Sequence, residues 1–400
     1  MFKARIKNNM CSNAHPVGCF YQVYEQIEQA RGKRVSLKGK TALVVGCSSG
    51  IGLASRIGLT FSAGMDTLGI YTDRAAQPHK MGSAGWYNNQ AFEYYARRAN
   101  KLALSSNQDA FQVNAKEWIV QKLQQQEKKL DVLVYSVAAP KRSVKGVGEY
   151  RSVIKPIAKG FDGIAMDPFK EEMRDIHIEA ATRDEIEATV KVMGGEDWQE
   201  WVNYLKSAGV LADDFITVAY SYLGPEHTQA IYGEGTLGAA KAHLHETAIA
   251  LQQNLKTING RAHIGLFPAL VTPSSAVIPS MPLYISLLHE IQKEKGLYET
   301  TQEQVLRLFD EHLSRADAET KLRVDDRERR TDVQLLVAQR MAEVEKQGIA
   351  GLPALVGFRQ RFLNQFGFGY DHVQYDDKPD PLTPPALFDF DQPVAISKAG

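Results

Sequence analysis

The sequence predicts an α/β fold built on a Rossmann-like, doubly wound parallel sheet. Two observations support this prediction: strand segments alternate with helical segments, and a glycine-rich turn joins the first strand to the first helix. The chain has 400 residues and no linker rich in proline, glycine or serine, so we expect one enlarged domain over 1–400. Within it we distinguish a core (38–275), an insertion after the fourth strand (141–213) and a helical C-terminal extension (280–400).

Six short apolar segments predict the strands of the sheet. Helical patterns between the early strands, over 50–62, 88–100 and 115–129, supply the crossovers that parallel strands require. The third strand has the weakest pattern. The predicted strands are 41–45, 66–71, 102–105, 130–136, 215–222 and 262–267.

The first strand ends in a turn that contains three glycines. Such a turn lets backbone N–H groups and the N-terminus of the next helix meet a pyrophosphate, and Gly52 lets helix and strand approach closely. The alternative is a plain connection between a strand and a helix. The residues of this turn are Gly46, Cys47, Ser48, Ser49, Gly50, Ile51 and Gly52.

An acidic residue at the end of the second strand favours dinucleotide binding over a plain connection. Asp73 follows Thr72 and lies 21 residues after Gly52, close to the spacing typical of the acid that binds the ribose hydroxyls of NAD. A carboxylate there also repels the 2′-phosphate of NADPH, although the neighbouring Arg74 reduces that repulsion. The sequence therefore predicts NADH (NAD⁺) as the cofactor.

Lys241 interrupts an apolar stripe that predicts the buried face of a helix. The stripe consists of Leu237, Leu244, Ala248, Leu251 and Leu255. A lysine at the edge of a stripe can bury its stem and keep its ammonium in water; the functional interpretation is a cation held beside the phenol of Tyr232. Nine residues of unbroken helix would place the two side chains on opposite sides, so we expect Tyr232 to precede the helix, where Gly233 and Gly235 allow the chain to turn back.

The candidate residues are scattered in the sequence, but most follow the ends of predicted strands. Ligands of doubly wound sheets bind beyond the carboxyl ends of the strands. This rule gathers around one crevice Gly46, Asp73, 136–140, Tyr222, Tyr232 and 270–272.

The segment 141–213 is longer than a plain crossover requires. Its second half predicts helices over 183–192 and 197–206, and its first half has extended character, which suggests a flap over the site. Between 141 and 159 six cations accompany one acid, Glu149, so this run is either a solvated loop or a surface for the phosphates of coenzyme A or for an acidic carrier protein. The cations are Lys141, Arg142, Lys145, Arg151, Lys155 and Lys159.

The C-terminal extension predicts three further helices, over 282–295, 302–315 and 325–347. The last is strongly charged, so we expect it to be exposed. The tail from Asp376 is rich in aspartate and proline and predicts an extended strap.

Composition excludes several classes of function. Lys plus Arg and Asp plus Glu both total 47, so no global field attracts nucleic acid or a membrane surface. Cys11, Cys19 and Cys47 form no C-x-x-C pair, which fits a reducing compartment, and the N-terminus lacks the apolar core of a signal peptide. No apolar run approaches the roughly 18 residues that span a bilayer. We therefore expect a cytoplasmic protein without nucleic-acid partners or membrane insertion.

A metal site is not expected either. His243 and His245 are two residues apart on a predicted helix and point in different directions, and no cysteine or carboxylate set completes a site with them.

Several short segments carry a family resemblance that extends nearly end to end. Together with the Tyr-x8-Lys spacing of Tyr232 and Lys241, they identify the chain as similar to the FabV group of enoyl-thioester reductases. This group comprises NADH-dependent enoyl-[acyl-carrier-protein] reductases and trans-2-enoyl-CoA reductases within the short-chain dehydrogenase/reductase superfamily, whose other members have shorter spacings and shorter chains. The segments are 15–19 (HPVGC), 84–88 (AGWYN), 136–140 (SVAAP), 193–198 (MGGEDW), 281–284 (MPLY) and 366–368 (FGF).

Two positions depart from the family pattern. Asp73 stands where glutamate is usual, which leaves the charge intact. The small residues of 271–279 are shifted along the chain, which affects the lining of the acyl pocket.

The resemblance implies a role for each matching residue. Tyr232 would be the proton donor, Lys241 would contact the cofactor, and Tyr222 would face the substrate carbonyl. Five groups of residues would then hold the cofactor, namely the glycine turn, Thr72 with Asp73, Asp109 with Ala110 at the adenine, Val137 with Ala138 at the nicotinamide ribose, and Leu270, Val271 and Thr272 at the nicotinamide amide.

The implied reaction is reduction of the trans-2 double bond of enoyl thioesters, on acyl carrier protein or coenzyme A, to saturated acyl thioesters in fatty acid synthesis. Hydride adds to Cβ while the phenols stabilise the enolate oxygen, and protonation at Cα completes the reaction. Two alternatives remain open at this stage. One is a carbonyl reductase or alcohol dehydrogenase on the same scaffold, and the other is a protein that senses NAD without chemistry.

Overall fold

The structure is a computed structural model that describes residues 2–144, 146–315, 319–375 and 379–382. In chain order the described strands are β1 (Ile6–Lys7), β2 (Met10–Cys11), β3 (Thr41–Val45), β4 (Asp66–Tyr71), β5 (Ala103–Asn107), β6 (Leu130–Tyr135), β7 (Lys141–Val144), β8 (Gly148–Arg151), β9 (Phe161–Asp167), β10 (Glu172–Ile178), β11 (Leu211–Ser221), β12 (Arg261–Leu266) and β13 (Lys321–Arg323).

The helices alternate with these strands through the first two thirds of the chain and dominate thereafter. They are α1 (Pro16–Arg31), α2 (Gly50–Ile57), α3 (Ala84–Arg98), α4 (Val113–Gln125), α5 (Arg183–Met193), α6 (Glu196–Ser207), α7 (Glu226–Thr228), α8 (Thr236–Asn254), α9 (Met281–Glu294), α10 (Thr301–Arg307), α11 (Thr331–Gln347) and α12 (Ala354–Asn364). Turns of π-helix cover Gly58–Ser62, Gln229–Gly233 and Leu308–Leu313, and short 3₁₀ turns cover Leu255–Ile258 and Ser275–Val277.

The central sheet has seven strands in the order β13-β12-β11-β6-β3-β4-β5, and every neighbouring pair is parallel. This order, which runs outward in both directions from β3, confirms the doubly wound fold and all six predicted strands. The seventh strand, β13, was not predicted because it has three residues, of which only Leu322 is apolar. It lies outside the 38–275 core, so the division of the chain into core, insertion and extension stays a proposal.

Alternating side chains of β3 explain why helices cover both faces of the sheet. Leu43 and Val45 pack into one core with α4, α6 and α8, whereas Ala42 and Val44 pack into another with α2 and α10. A strand that is buried on both faces reads as a continuous apolar run, as this one does.

The inserted segment folds into two antiparallel hairpins, β7–β8 and β9–β10, followed by α5 and α6. The extended character of its first half and the two helices of its second half are therefore confirmed. The second hairpin contributes Phe161 and Ile178 to the apolar cluster that contains Tyr232. This contact agrees with the expectation of a flap.

In the C-terminal region α11 and α12 both pack against α9. The predicted helix over 325–347 begins six residues late, at Thr331, because Asp325 and Glu328 are buried in a turn instead of lying on an exposed helix. The predicted strap from Asp376 lies almost entirely outside the described residues. No helix in the described part of the chain is long and apolar enough to cross a membrane.

Candidate active site

The glycine-rich turn between β3 and α2 is packed too tightly for larger residues. A Cβ atom on Gly52 would lie 2.0 Å from the Gly46 carbonyl oxygen, and one on Gly46 would lie 2.1 Å from that of Ser136. Gly46 and Gly50 also have φ angles of 85° and 53°, which favour glycine. The Ser49 side chain makes no capping hydrogen bond, so it does not occupy the first N–H groups of α2. The turn therefore presents backbone donors to an anion.

A buried guanidinium lies directly below this turn. Arg56 is fully buried and donates to Asn89 Oδ1 at 2.9 Å, Ser105 Oγ at 2.7 Å and the Leu104 carbonyl at 2.9 Å. Among the described residues no carboxylate lies within ion-pair distance of it. Arg56 was not predicted as a site residue, although it lies one helical turn after Gly52 and therefore on the face of α2 that is turned to the sheet.

Asp73 lies beside the same turn. Its carboxylate accepts a hydrogen bond from Ser83 Oγ at 2.7 Å, and its backbone N–H donates to Asn107 Oδ1 at 2.9 Å. Burial raises the pKa of Asp73, while hydrogen bonds from Ser48 and Ser83 and the charge of Arg74 oppose that rise. The carboxylate of Asp73 thus contacts Ser48 of the glycine turn. This proximity is what one dinucleotide requires if its ribose binds Asp73 and its pyrophosphate binds the turn. Thr72 is exposed beside it.

The residues expected at the adenine and the nicotinamide ribose follow β5 and β6, two strands of the central sheet that are separated by β3 and β4. Asp109 accepts from the backbone N–H of Phe111 at 3.0 Å, and Ala110 is buried. Val137 is half-buried and Ala138 is exposed just after β6. Ala110 belongs to the apolar core that α4, α6 and α8 cover, and Val137 packs against that core. Their contacts with a cofactor stay predictions.

Tyr232 lies in the π-helical turn Gln229–Gly233, before α8 begins at Thr236. The expectation that it precedes the helix is confirmed. A Cβ atom on Gly238 would lie 1.9 Å from the Gly233 carbonyl oxygen, which shows how closely α8 packs on this turn. Tyr232 is 7% exposed, and its hydroxyl makes no hydrogen bond to any described residue.

Tyr222 packs its ring edge-on against Tyr232, with the centroids 5.1 Å apart. Burial raises the pKa of both phenols, and at Tyr222 the carboxylate of Glu328 adds to the effect. Both side chains therefore remain protonated at neutral pH. The structure brings together the two tyrosines that the sequence singled out.

Lys241 is half-buried on α8, and its ammonium donates to the Tyr220 carbonyl oxygen at 3.2 Å. Burial lowers the pKa of Lys241 to about 8, because no described carboxylate compensates the charge. All five residues of the apolar stripe are buried. The prediction that the Lys241 side chain starts from the buried face of its helix is therefore confirmed. The Tyr220 side chain points elsewhere and hydrogen-bonds Ser55 Oγ at 2.6 Å, consistent with a packing role.

The carboxylate that holds Tyr222 was not predicted from the sequence. Glu328 is 1% exposed and accepts hydrogen bonds from the hydroxyls of Tyr222 at 3.1 Å and Tyr284 at 2.6 Å. Its other oxygen accepts from the backbone N–H of Ala269 at 2.9 Å. Glu328 was assigned to an exposed charged helix, and only its position five residues before the Val-x-x-x-Val pair of α11 could have suggested a different environment.

The loop after β12 is held in place by its own side chains. Ser275 Oγ donates to the Leu270 carbonyl at 2.6 Å, and the backbone N–H of Thr272 donates to Ser275 Oγ at 2.9 Å. Leu270 is buried, whereas Val271 and Thr272 are half-buried. These three residues follow the strand next to Tyr222, where the expected nicotinamide site lies.

The basic run of the insertion does not form an open cationic surface. Arg142 is 3% exposed and pairs with Glu196 at 3.1 Å and Glu200 at 3.0 Å, so its interpretation as a phosphate contact is wrong. Lys141 and Arg151 share Glu149, and Lys155 pairs with Glu185. Lys159 is exposed, and Lys145 lies outside the described residues. Local carboxylates therefore neutralise most of this run.

The two histidines of α8 serve different neighbours. His243 Nδ1 accepts from the Gly195 N–H at 3.0 Å, and His245 Nε2 lies 3.1 Å from Ser221 Oγ. No group of three or more potential metal ligands occurs among the described residues.

Comparisons with known proteins cover nearly the whole chain. A model described as the trans-2-enoyl-CoA reductase catalytic region matches residues 80–314, and one described as the NAD(P)H binding domain of trans-2-enoyl-CoA reductase matches 1–78. A third, described as an enoyl reductase FAD binding domain, matches 316–378.

Individual relatives agree with the family models. The chain is 40% identical over 385 residues to the enoyl-[acyl-carrier-protein] reductase [NADH] of Aliivibrio fischeri, covering 94% of this chain and 96% of that protein. It is 41% identical over 388 residues to the trans-2-enoyl-CoA reductase [NADH] of Treponema denticola, covering 94% and 97%. The solved structure of the Clostridium acetobutulicum trans-2-enoyl-CoA reductase in complex with NADH superposes with a TM-score of 0.90 at 36% identity, covering 95% and 98%.

The segment matched by the third model does not fit the flavin in that model's description. In its described part, β13 is followed by the buried Asp325 and Glu328 and not by a glycine-rich turn, and α11 and α12 pack their apolar faces on α9. No phosphate cradle is formed there. The paired tyrosines, the glycine turn, the fold and the relatives lead to one conclusion: the chain belongs to the trans-2-enoyl-CoA reductase family, which includes the NADH-dependent enoyl-[acyl-carrier-protein] reductases.

Proposed function

We propose that the chain reduces the trans-2 double bond of enoyl thioesters to saturated acyl thioesters, with NADH as the reductant, in fatty acid synthesis. The observation that carries this proposal is the pair of protonated phenols, Tyr222 and Tyr232, packed edge to face beyond the sheet. The ammonium of Lys241 donates to the Tyr220 carbonyl, two residues before Tyr222 in the chain. The names of the relatives support it, because they are NADH-dependent enoyl reductases.

The residues present fit a dinucleotide. Gly46 and Gly52 leave no room for side chains. The backbone N–H groups of Gly46 and Cys47 donate to the Ile70 carbonyl, so those of 48–52, at the start of α2, would face the pyrophosphate. When bound, NADH supplies the hydride that adds to Cβ of the enoyl group. Asp73 would bind the adenine ribose hydroxyls, and the uncompensated cation of Arg56 would stabilise the phosphates from below the turn. The adenine and nicotinamide would lie at the residues assigned to them from the resemblance.

Tyr232 is proposed as the proton donor. Its hydroxyl is free of protein partners in the described structure, and its raised pKa keeps the proton on the oxygen at neutral pH. It can therefore donate a hydrogen bond to the thioester carbonyl oxygen, where negative charge grows as hydride adds to Cβ. Tyr222 would be a second donor to the same oxygen, as its ring contact with Tyr232 suggests.

Lys241 is proposed to bind the nicotinamide ribose and to raise the local positive potential. Its ammonium is anchored on one side by the Tyr220 carbonyl, which leaves two N–H donors for a ligand. With a pKa of about 8, it is charged at neutral pH and loses this charge in mildly alkaline solution.

We propose that the thioester is carried by coenzyme A or by acyl carrier protein. We also propose that the protein is located in the cytoplasm. Cys11, Cys19 and Cys47 are all unpaired, as is usual in a reducing compartment. An open cavity of about 620 Å³ lies between the β9–β10 hairpin and the segment 276–279, beside the cluster that contains Tyr232. It offers a route for the pantetheine arm that both carriers share.

The test is steady-state NADH oxidation with trans-2-enoyl thioesters of graded length on both carriers, followed by mass analysis of the product. A saturated thioester is the expected product. A hydroxyl compound from a carbonyl substrate would identify a carbonyl reductase or alcohol dehydrogenase instead, and NADH binding without any oxidation would identify an NAD-sensing protein.

A further inference from the structure

The arrangement around Glu328 limits what Tyr222 can do. A phenol has one proton to donate, and the Tyr222 hydroxyl donates it to Glu328 Oε1. Tyr284 donates to the same oxygen, and the Ala269 N–H occupies the other. An ionised Glu328 therefore holds the Tyr222 proton away from the substrate and leaves the phenol oxygen, which also meets the Thr228 side chain, as an acceptor only.

A protonated Glu328 reverses this arrangement. A carboxylic acid can donate its own proton to a phenol oxygen, which frees the Tyr222 O–H to turn toward the thioester carbonyl. No bond to carbon forms or breaks in this exchange; only the direction of one hydrogen bond changes. The second donor to the growing enolate is thus present or absent according to one proton on Glu328.

We propose that Glu328 is a positioning residue of the active site, which holds or releases the Tyr222 proton and so decides whether Tyr222 can donate to the substrate oxygen. The proposal rests on the proposed enoyl reductase function. Glu328 also ties together three elements of the site, because its partners lie after β11, after β12 and on α9.

The surroundings of Glu328 allow this change of state near neutral pH. Burial raises the pKa of Glu328 to about 7, against hydrogen bonds from Tyr284, Ala269 and Tyr222 that favour the carboxylate. The ionisable groups that face it are Tyr222 from β11, Tyr284 from α9 and Asp325 in its own segment, whose charge adds to the rise. Asp325 is paired with Arg323 at 2.6 Å. Gln334 of α11 donates to the Glu328 carbonyl and is not ionisable.

The kinetic test compares the pH profile of kcat/KM between pH 5 and 9 in the wild type and in Glu328→Gln, because kcat/KM reports the ionisation of the free enzyme. In the wild type, kcat/KM should fall on the order of tenfold between pH 6 and 8 as Glu328 ionises, before a second fall near pH 8 from Lys241. Glu328→Gln should lack the first fall and keep the second, because its amide can donate to Tyr222 at every pH. A Glu328→Gln profile that retains both falls would overturn the proposal.

Two phenylalanine variants separate positioning from structural support. Tyr222→Phe should lose the first fall, because no proton is left to direct. Tyr284→Phe, the matched control, removes the other phenol from the same oxygen and should keep the fall, displaced to higher pH by the loss of a hydrogen bond that favours the carboxylate. Equal profiles for the two variants would contradict the proposal, even if Glu328→Gln does not fold.

A second readout is independent of turnover. Since the folded pKa of Glu328 exceeds that of an exposed glutamate, the native state binds more protons than the unfolded state between pH of about 4.5 and 7. Ionisation of Glu328 thus lowers the stability of the wild type as pH rises through 7. The Tm of Glu328→Gln minus that of the wild type should be more positive at pH 8 than at pH 5, and a constant difference would overturn the proposal. This measurement stands even if the wild type reduces no enoyl thioester.

Discussion

At the scale of single residues, the site depends on ionisable side chains placed where water cannot fully solvate them. Tyr232, Tyr222 and Lys241 each have a pKa moved by burial toward the neutral form. For the phenols this keeps the acid ready to donate. For Lys241, burial of the ammonium destabilises the folded protein unless a bound ligand interacts with that charge.

Lys241→Met should reveal this cost. Without cofactor, the wild type has a lysine whose folded pKa of about 8 lies below that of an exposed lysine, so its stability rises with pH between about 8 and 10.4. The methionine variant should therefore be more stable than the wild type at pH 7, with an advantage that shrinks toward pH 10. NADH binding should weaken on the order of tenfold. Urea unfolding at pH 7 and 10 and NADH titration measure both effects; a lower stability of the variant at pH 7 would contradict the argument.

Asp73→Ser tests the choice of cofactor. Removing a half-buried carboxylate beside Ser48 should weaken NADH use and relieve repulsion of the 2′-phosphate. The NADPH to NADH ratio of kcat/KM should rise on the order of tenfold, helped by the adjacent Arg74. If the ratio stays constant in steady-state assays, Asp73 does not discriminate between the cofactors.

At the scale of elements, the proposed phosphate site depends on the close contact of α2 with the turn that follows β3. Gly52→Ala would place a Cβ atom 2.0 Å from the Gly46 carbonyl, and backbone on both sides must shift to accept it. We expect a loss of about 1 to 3 kcal/mol of stability and a clear weakening of NADH binding. Gly32→Ala is the matched control, because nothing lies within 4 Å of its added atom and its φ of −76° suits alanine. Similar effects of the two substitutions in urea unfolding and NADH titration would argue against the contact.

The insertion supplies a second prediction at this scale. Arg142 holds α5 and α6 to the first hairpin through Glu196, Glu200 and the Lys191 carbonyl. Arg142→Met should therefore cost on the order of 2 kcal/mol of stability, because Glu200 loses its partner and Glu196 keeps only Lys191. The KM for a coenzyme A thioester should change no more than that for a phosphate-free analogue. A selective rise of the KM for the phosphate-bearing substrate would restore the phosphate surface that the sequence suggested.

Strands and turns with a clear local sequence pattern could be predicted from the sequence. Features that depend on partners far along the chain could not. The strands with continuous apolar runs and the turn of 46–52 follow from local chemistry alone. Glu328 and Arg142 look like solvated charges in the sequence, yet each is buried by partners more than 40 residues away in the chain. Likewise β13 exists only because β12 offers an edge.

At the scale of the whole molecule, the strand order brings the cofactor half and the substrate half of the site to one edge of the sheet. Strands β3 and β4 end at the glycine turn and Asp73, while β11 and β12 end at Tyr222 and the 270–272 loop. The C-terminal region completes the site from a distant part of the sequence, because it carries Glu328 to Tyr222. The paired tyrosines were foreseen from spacing and resemblance, whereas this third group required the structure.

The central claim is that the Tyr232 hydroxyl donates to the substrate oxygen. It is tested most directly by measuring kcat and the NADH dissociation constant of Tyr232→Phe, with Tyr220→Phe as the matched control because that hydroxyl bonds Ser55 and lies outside the phenol pair. We predict that kcat of Tyr232→Phe falls about 10² to 10⁴-fold with NADH binding and thermal stability nearly unchanged, whereas Tyr220→Phe keeps its turnover. Near-normal turnover of Tyr232→Phe would contradict the account and assign the proton donor to Tyr222 or to water.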